Sequence, residues 1–217
     1  RYCQYYVILL LQEGRFTAVP FWKTQEKDGS EFMDRSMEVE YLESFDKNPP
    51  EGSPLRIYVT RLDDFTFLGN YNVVDESSDY GQIWGRFFEK GGYDPIVPYA
   101  TDKSPVNVWF TDAEGKRVYF QGLFVKDVAR VPEGYCQMDF PGGEYLVVTT
   151  DWMERNEEAV GEKGNGRCNR YADYAPMPAG YVRDESYVIR LEVERADMPQ
   201  GSRYEVWVPI RRAGSGA

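Results

Sequence analysis

Between Leu55 and Val125 the apolar residues change their spacing twice, and that change restricts the fold more than any other feature. "LRIYVTRLDDFTFLGNYNVV", Leu55 to Val74, is rich in β-branched and aromatic residues and reads as extended chain. Tyr80, Ile83, Trp84, Phe87 and Phe88 then recur at the spacing of one apolar helix face. Ser77 or Ser78 is the expected N-cap, and Gly91 and Gly92 are the expected stop. "VNVWFTDAEGKRVYFQGLFV" follows as two strands around Asp112 to Lys116, with Gly115 at the turn. A strand, a helix and a hairpin make one βαββ unit.

The same order of elements recurs downstream, without literal repetition of sequence. "YCQMDFPGGEYLVVTTD", Tyr135 to Asp151, is a strand interrupted by Pro141, Gly142 and Gly143. A polar stretch runs from Trp152 to Gly180, and "SYVIRLEVERAD" and "YEVWVPIRR" are strands joined by "MPQGS". Gly161, Gly164 and Gly166 make a poor helix interior, so the second helix is expected to be short, around Arg167 to Ala175. Pro209 removes a ladder donor near the end of the last strand, a small loss if that position faces solvent. The fold class expected is α+β.

Residues 1–53 read as a separate N-terminal extension of unknown role, bounded by the breaker "DKNPPEGSP". Tyr5 to Leu11 reads as a buried strand, too short to span a bilayer. Met33, Met37, Tyr41 and Phe45 stand at four-residue steps, so Glu31 to Phe45 reads as a short helix. The extension holds 6 basic and 10 acidic residues, which argues against a DNA-binding helix-turn-helix. Residues 54–213 are the expected main domain and 214–217 a flexible tail.

Composition excludes several chemistries. The chain of 217 residues carries a net charge of −11 and would repel a phosphate backbone, so no nucleic acid is expected as partner of this chain alone. It has no histidine, which removes Ser-His-Asp and Cys-His nucleophile designs and disfavours a zinc site. Cys3, Cys136 and Cys168 are too few and too widely spaced for a disulfide framework. No cofactor, metal or membrane partner is expected, and the compartment expected is the cytoplasm. Aromatic residues reach 16%, enough to furnish a core, a ligand pocket, or both.

Several stretches, in order, resemble the GyrI-like family of small-molecule-binding domains, also used as the effector domain of multidrug-sensing bacterial transcription regulators. These are "FTFLGNY", "IWGRFFE", the hairpin containing Gly122, "VPEGYCQMDFPGGEYLVVTT", "RLEVERAD" and the final "EVWVPI". The resemblance covers about residues 55–212. It implies duplicated βαββ units about a pseudo-twofold, an antiparallel sheet, and helices over a cleft that takes lipophilic, cationic aromatic compounds. Such a cleft needs an aromatic cage and a carboxylate to balance the ligand's charge.

Alternation places Tyr187, Ile189, Leu191 and Val193 on one face of their strand, and Val188, Arg190, Glu192 and Glu194 on the other. Glu192 matches the family's inward carboxylate, with Glu205 as second candidate. Trp109, Tyr119, Tyr145 and Trp207 come from strands expected to border the cleft, and Trp84 and Phe88 from the helix. Tyr171 and Tyr174 are further wall candidates. Ligand-binding residues are thus expected at Glu192, Trp84, Trp109, Tyr119, Tyr145, Trp207, Phe88 and Tyr171, and binding rather than catalysis is the expected function. Two alternatives stay open. One is hydrolysis of strained electrophilic natural products by a glutamate in an apolar cage. The other is an acidic module that binds and inhibits a basic protein, as gyrase-inhibitor relatives do.

Overall fold

The computed structural model describes residues 8–12, 15–19, 37–39, 55–186 and 189–214. Strands β1 (Ile8–Gln12) and β2 (Arg15–Val19) form a two-stranded antiparallel hairpin. The strand expected at Tyr5 to Leu11 is thus extended from Ile8, and the rest of it lies outside the described residues. The helix expected over Glu31 to Phe45 is not what its described part forms. Met37–Val39 is strand β3, with Met37 opposite Val59 and Val39 opposite Ile57. A three-residue segment gains more from the open ladder of a neighbouring edge strand than from a weak helical period.

The other strands are β4 (Leu55–Leu62), β5 (Phe65–Val73), β6 (Val106–Thr111), β7 (Arg117–Val125), β8 (Cys136–Phe140), β9 (Gly143–Thr150), β10 (Tyr181–Arg183), β11 (Arg190–Met198) and β12 (Gly201–Arg212). Together with β3 they form one antiparallel sheet in the order β3-β4-β9-β12-β11-β6-β7-β5-β8, with β10 extending the pairing of β12 beyond the end of β11. The helices are α1 (Tyr80–Glu89), α2 (Asn156–Val160) and α3 (Arg167–Tyr174), with a π-helical turn at Glu162–Gly166 between the last two. The stretch read as one extended run from Leu55 is two strands. Asp63 and Asp64 turn the chain between them, and β4 and β5 lie near opposite ends of the sheet.

Two βαββ runs are visible in this order: β5-α1-β6-β7, and β9 followed by the helical segment, β11 and β12. In each run the hairpin's second strand lies between its first strand and the strand that opens the run. The runs meet where β6 pairs with β11, Asn107 opposite Glu192. The glycine-rich segment breaks the second helix into short pieces, as the glycines require.

Helix α1 starts at Asp79, not at Ser77 or Ser78. The Asp79 carboxylate accepts from the Gln82 N–H at 3.1 Å, while both serine hydroxyls donate to Asp75 Oδ1. All three residues are of types that cap well, and local turn bonding to Asp75 decides which one is used. Gly91 and Gly92 end the helix with φ of 109° and 58°.

The sheet is strongly curled. Phe110 on β6 and Phe140 on β8 are three strands apart, about 14 Å in a flat sheet, yet their ring centroids are 5.1 Å apart. One face therefore closes on itself around Phe65, Phe67, Phe120, Phe124, Tyr145 and Trp207. The other face carries the helices. Ile83 and Phe87 of α1 pack over β7, and Cys168, Tyr171 and Ala172 of α3 pack over β4, β9 and β12. Burial pushes the Cys168 thiol up to about 12, so it is an inert core group.

Pro209 does not face solvent. It is buried, lies opposite Tyr145, and its carbonyl accepts from the Asp184 N–H at 3.1 Å. The N and C=O of a strand residue point the same way. The missing donor is therefore directed to the side where β12 exchanges β11 for β10 as its neighbour.

Candidate functional site

The helix-bearing face has a polar floor laid down by strand register. Glu192 of β11 stands opposite Asn107 of β6, Asn107 opposite Gln121 of β7, and Gln121 opposite Asn70 of β5. In the next row Arg190 stands opposite Trp109, and Trp109 opposite Tyr119. This floor lies between the cluster under α1 and the cluster under α3.

Glu192 is 9% exposed. Its Oε2 accepts from the Tyr204 hydroxyl at 3.0 Å, and Asn107 Nδ2 reaches the same oxygen at 3.5 Å. Burial, then the neighbouring Glu192, pushes the phenols of Tyr204 and Tyr119 above their ordinary range, so both remain protonated donors. Among the described residues no Lys or Arg forms an ion pair with Glu192. The nearest basic group along its own strand, Arg190, is committed to α3, at 2.7 Å from Asp173 Oδ1 and 2.6 Å from Asn169 Oδ1. Glu194 accepts from Asn156 Nδ2 at 2.7 Å.

Aromatic rings gather at one end of the floor. Trp109 and Tyr119 have centroids 4.5 Å apart, and Tyr80 lies 5.4 Å from Tyr119 and 5.9 Å from Trp109. Trp84 is 6.5 Å from Tyr119 and stacks on Phe88 at 5.6 Å. The Arg117 guanidinium already sits 4.8 Å from the Trp109 ring centre. Trp109 Nε1 and Asn107 Oδ1 are buried and have no hydrogen-bond partner among the described residues.

The sequence-predicted residues divide by sheet face. Glu192, Trp109, Tyr119 and Trp84 come together, and Phe88, 56% exposed, reaches the group through Trp84. Tyr171 is buried in the α3 cluster beside Tyr204, on the opposite flank, and Tyr174 is 74% exposed. Tyr145 and Trp207 lie on the opposite face of the sheet, 5.7 Å from each other. Trp207 stands opposite Leu191, so β12 turns its Tyr204–Val206 face, not its Trp207 face, to the side of Glu192. Asn107, Tyr204 and Tyr80 are the members of the group that sequence reasoning missed. Period two along β6 puts Asn107 on the Trp109 face, a signal that was available; the reach of Tyr204 depends on pairing.

Glu205 has a different setting. It is fully buried on the Trp207 side, held by Arg203 at 2.7 Å and Arg195 at 3.2 Å, and it accepts from Trp207 Nε1 at 3.1 Å. Arg195 also bonds Asp102 at 2.9 Å. Every charge there has a partner.

A groove of about 360 Å³ runs beside the first turns of α1, lined by polar groups such as Asn72, Asp79, Gln82 and Arg86; none of the expected site residues lies in it. Among the described residues no helix is long and apolar enough to cross a membrane.

Residues 56–210 match the family model of the integron-associated effector binding proteins. The chain belongs to this family. Three solved structures are similar to this chain. SAV2435 bound to tetraphenylphosphonium is 15% identical with a TM-score of 0.51, over 70% of this chain and 92% of that one. An integron cassette protein from the mobile metagenome of Vibrio cholerae is 13% identical with a TM-score of 0.45, over 71% and 95%. The EcmrR C-terminal domain is 11% identical with a TM-score of 0.43, over 73% and 99%. No sequence relative is found among curated proteins. The matched span of this effector binding protein contains Glu192, Asn107, Tyr204 and the whole ring group.

Proposed function

We propose that this domain binds a lipophilic, cationic aromatic small molecule on the floor between α1 and α3, with Glu192 as the counter-charge. One contrast carries the reading. The fully buried Glu205 is neutralised by two arginines, whereas Glu192, 9% exposed, has among the described residues only the neutral donors Tyr204 and Asn107. A carboxylate withdrawn from water without a cation is costly, and a bound cation supplies what the protein omits. The rings of Tyr80, Trp84, Trp109 and Tyr119 supply the apolar area beside it. Effector binding in the family, and the phosphonium cation on a protein of the same fold, agree with this chemistry. Binding of such a compound would serve to sense or to sequester it.

The Tyr204–Glu192 hydrogen bond also favours a second reading, in which the pair acts as acid and base on a strained electrophile. Product formation from an epoxide would distinguish it from binding.

The test is a tryptophan-fluorescence titration with tetraphenylphosphonium. Wild type should bind saturably, and Glu192→Gln should weaken the cation by roughly 1–3 kcal/mol, the scale of a charge-assisted contact. Equal binding by both proteins would remove Glu192 as the counter-ion.

A further inference from the structure

The Glu192–Asn107 pair contains more unmet acceptors than a simple charge site needs. Asn107 turns its Nδ2 to Glu192 Oε2, at 3.5 Å, so its Oδ1 is the amide atom not engaged by Glu192. That oxygen is buried and has no donor among the described residues. On the carboxylate, the Tyr204 hydroxyl and Asn107 Nδ2 both serve Oε2, and no donor from the described residues reaches Oε1. On directly opposed residues of neighbouring strands, β11 and β6, the buried Asn107 Oδ1 therefore lacks a donor, and Glu192 Oε1 has none from the described residues. Side chains so opposed have Cβ atoms about 5 Å apart.

A buried acceptor left unmet costs the desolvation of that group. A delocalised cation without N–H groups would balance the charge of Glu192 but leave Asn107 Oδ1 dry and unbonded. A flat cation bearing its own N–H donors would satisfy both oxygens at once. Resting on the reading of Glu192 as counter-ion, we infer that the site selects aromatic cations that carry N–H groups, such as protonated amino-heteroaromatics or aryl amidinium ions, over cations that have none. Asn107 is the residue that sets this selectivity, because its amide oxygen accepts from the second N–H.

The experiment is calorimetric titration of the full chain with three probes near neutral pH. 9-Aminoacridinium has N–H donors, 10-methylacridinium is a similar flat cation without them, and tetraphenylphosphonium is a non-planar cation without them. In wild type, 9-aminoacridinium should bind roughly tenfold more tightly than 10-methylacridinium, the effect of satisfying one buried acceptor. In Asn107→Leu, which removes the amide oxygen, that gap should close through loss of 9-aminoacridinium affinity. Equal affinities in wild type, or a gap that persists in Asn107→Leu, overturns the inference. Binding of tetraphenylphosphonium without either acridinium also overturns it and leaves the cation reading standing. If none of the three binds, the counter-ion reading itself falls, and this inference with it. The comparison of probes on wild type needs no variant, so a misfolded Asn107→Leu would not blunt it.

Discussion

Tyr204 and Glu192 stand on neighbouring strands and meet diagonally: Glu192 is opposite Val206, Tyr204 is opposite Glu194, and the phenol donates to the carboxylate at 3.0 Å. Both groups are buried, so the donor is difficult to replace by water. Tyr204→Phe should lower stability by about 1–3 kcal/mol in urea denaturation, because the carboxylate loses its shorter hydrogen bond. A change below about 0.5 kcal/mol would show that water takes the place of the phenol.

The division of aromatics between the two sheet faces gives a second prediction. Trp207→Phe should lose the 3.1 Å bond to Glu205 and reduce stability by about 1–2 kcal/mol, with little change in cation affinity. Trp109→Leu should do the reverse to binding, weakening a cationic dye by about 1 kcal/mol or more. Parallel thermal melts and dye titrations would separate the two effects. A cation site altered by Trp207→Phe would relocate the ligand to the other face.

Glu205 predicts an acid limb to the stability curve. Burial pushes its carboxyl up, but Arg195 and Arg203 outweigh this, and bonds from Arg195 and Trp207 add to the pull, so it is brought down to about 2. A depressed carboxyl contributes fully above its unfolded value, and the contribution disappears as pH falls through the folded one. The contribution, on the order of a few kcal/mol, is present above about pH 4.5 and lost on the way to pH 2. Asp102 works in the opposite sense, since its burial outweighs Arg195 and pushes its carboxyl up. Comparing wild type with Glu205→Gln therefore isolates the effect. Their difference in unfolding free energy should be several kcal/mol at neutral pH and should shrink between pH 4.5 and 2. A difference independent of pH would show that packing, not charge, makes the contribution.

Gly69 and Gly122 are directly opposed on β5 and β7. A Cβ at Gly69 would collide with the Gln121 carbonyl, and one at Gly122 with the Leu68 carbonyl. Alanine at either position should cost about 3 kcal/mol or more, because backbone cannot yield as a side-chain tip can. Chemical denaturation of each variant measures this; a loss under about 1 kcal/mol would mean that the strands separate freely.

Local sequence was sufficient for much of this molecule. The five apolar positions of α1, the Gly115 hairpin, and the sharing of one face by Arg190, Glu192 and Glu194 all follow from chain periodicity, which nearest neighbours set. The absence of histidine leaves this chain without the histidine-dependent nucleophile designs. What tertiary structure alone decided is how these faces are assembled. Period two says that Trp207 and Val206 point opposite ways, but not which of them shares a face with Glu192; that depends on Leu191 pairing with Trp207. The Glu192–Asn107 pair joins residues 85 positions apart, and the Glu205–Arg195–Asp102 chain crosses 93 between its last two members. Such contacts arise from strand order and sheet curl, to which a local pattern is indifferent because the same alternation fits either face. The cap at Asp79, the strand at Met37–Val39 and the buried Pro209 have the same cause: at each, propensity allowed several outcomes, and a hydrogen-bond partner close in space selected one.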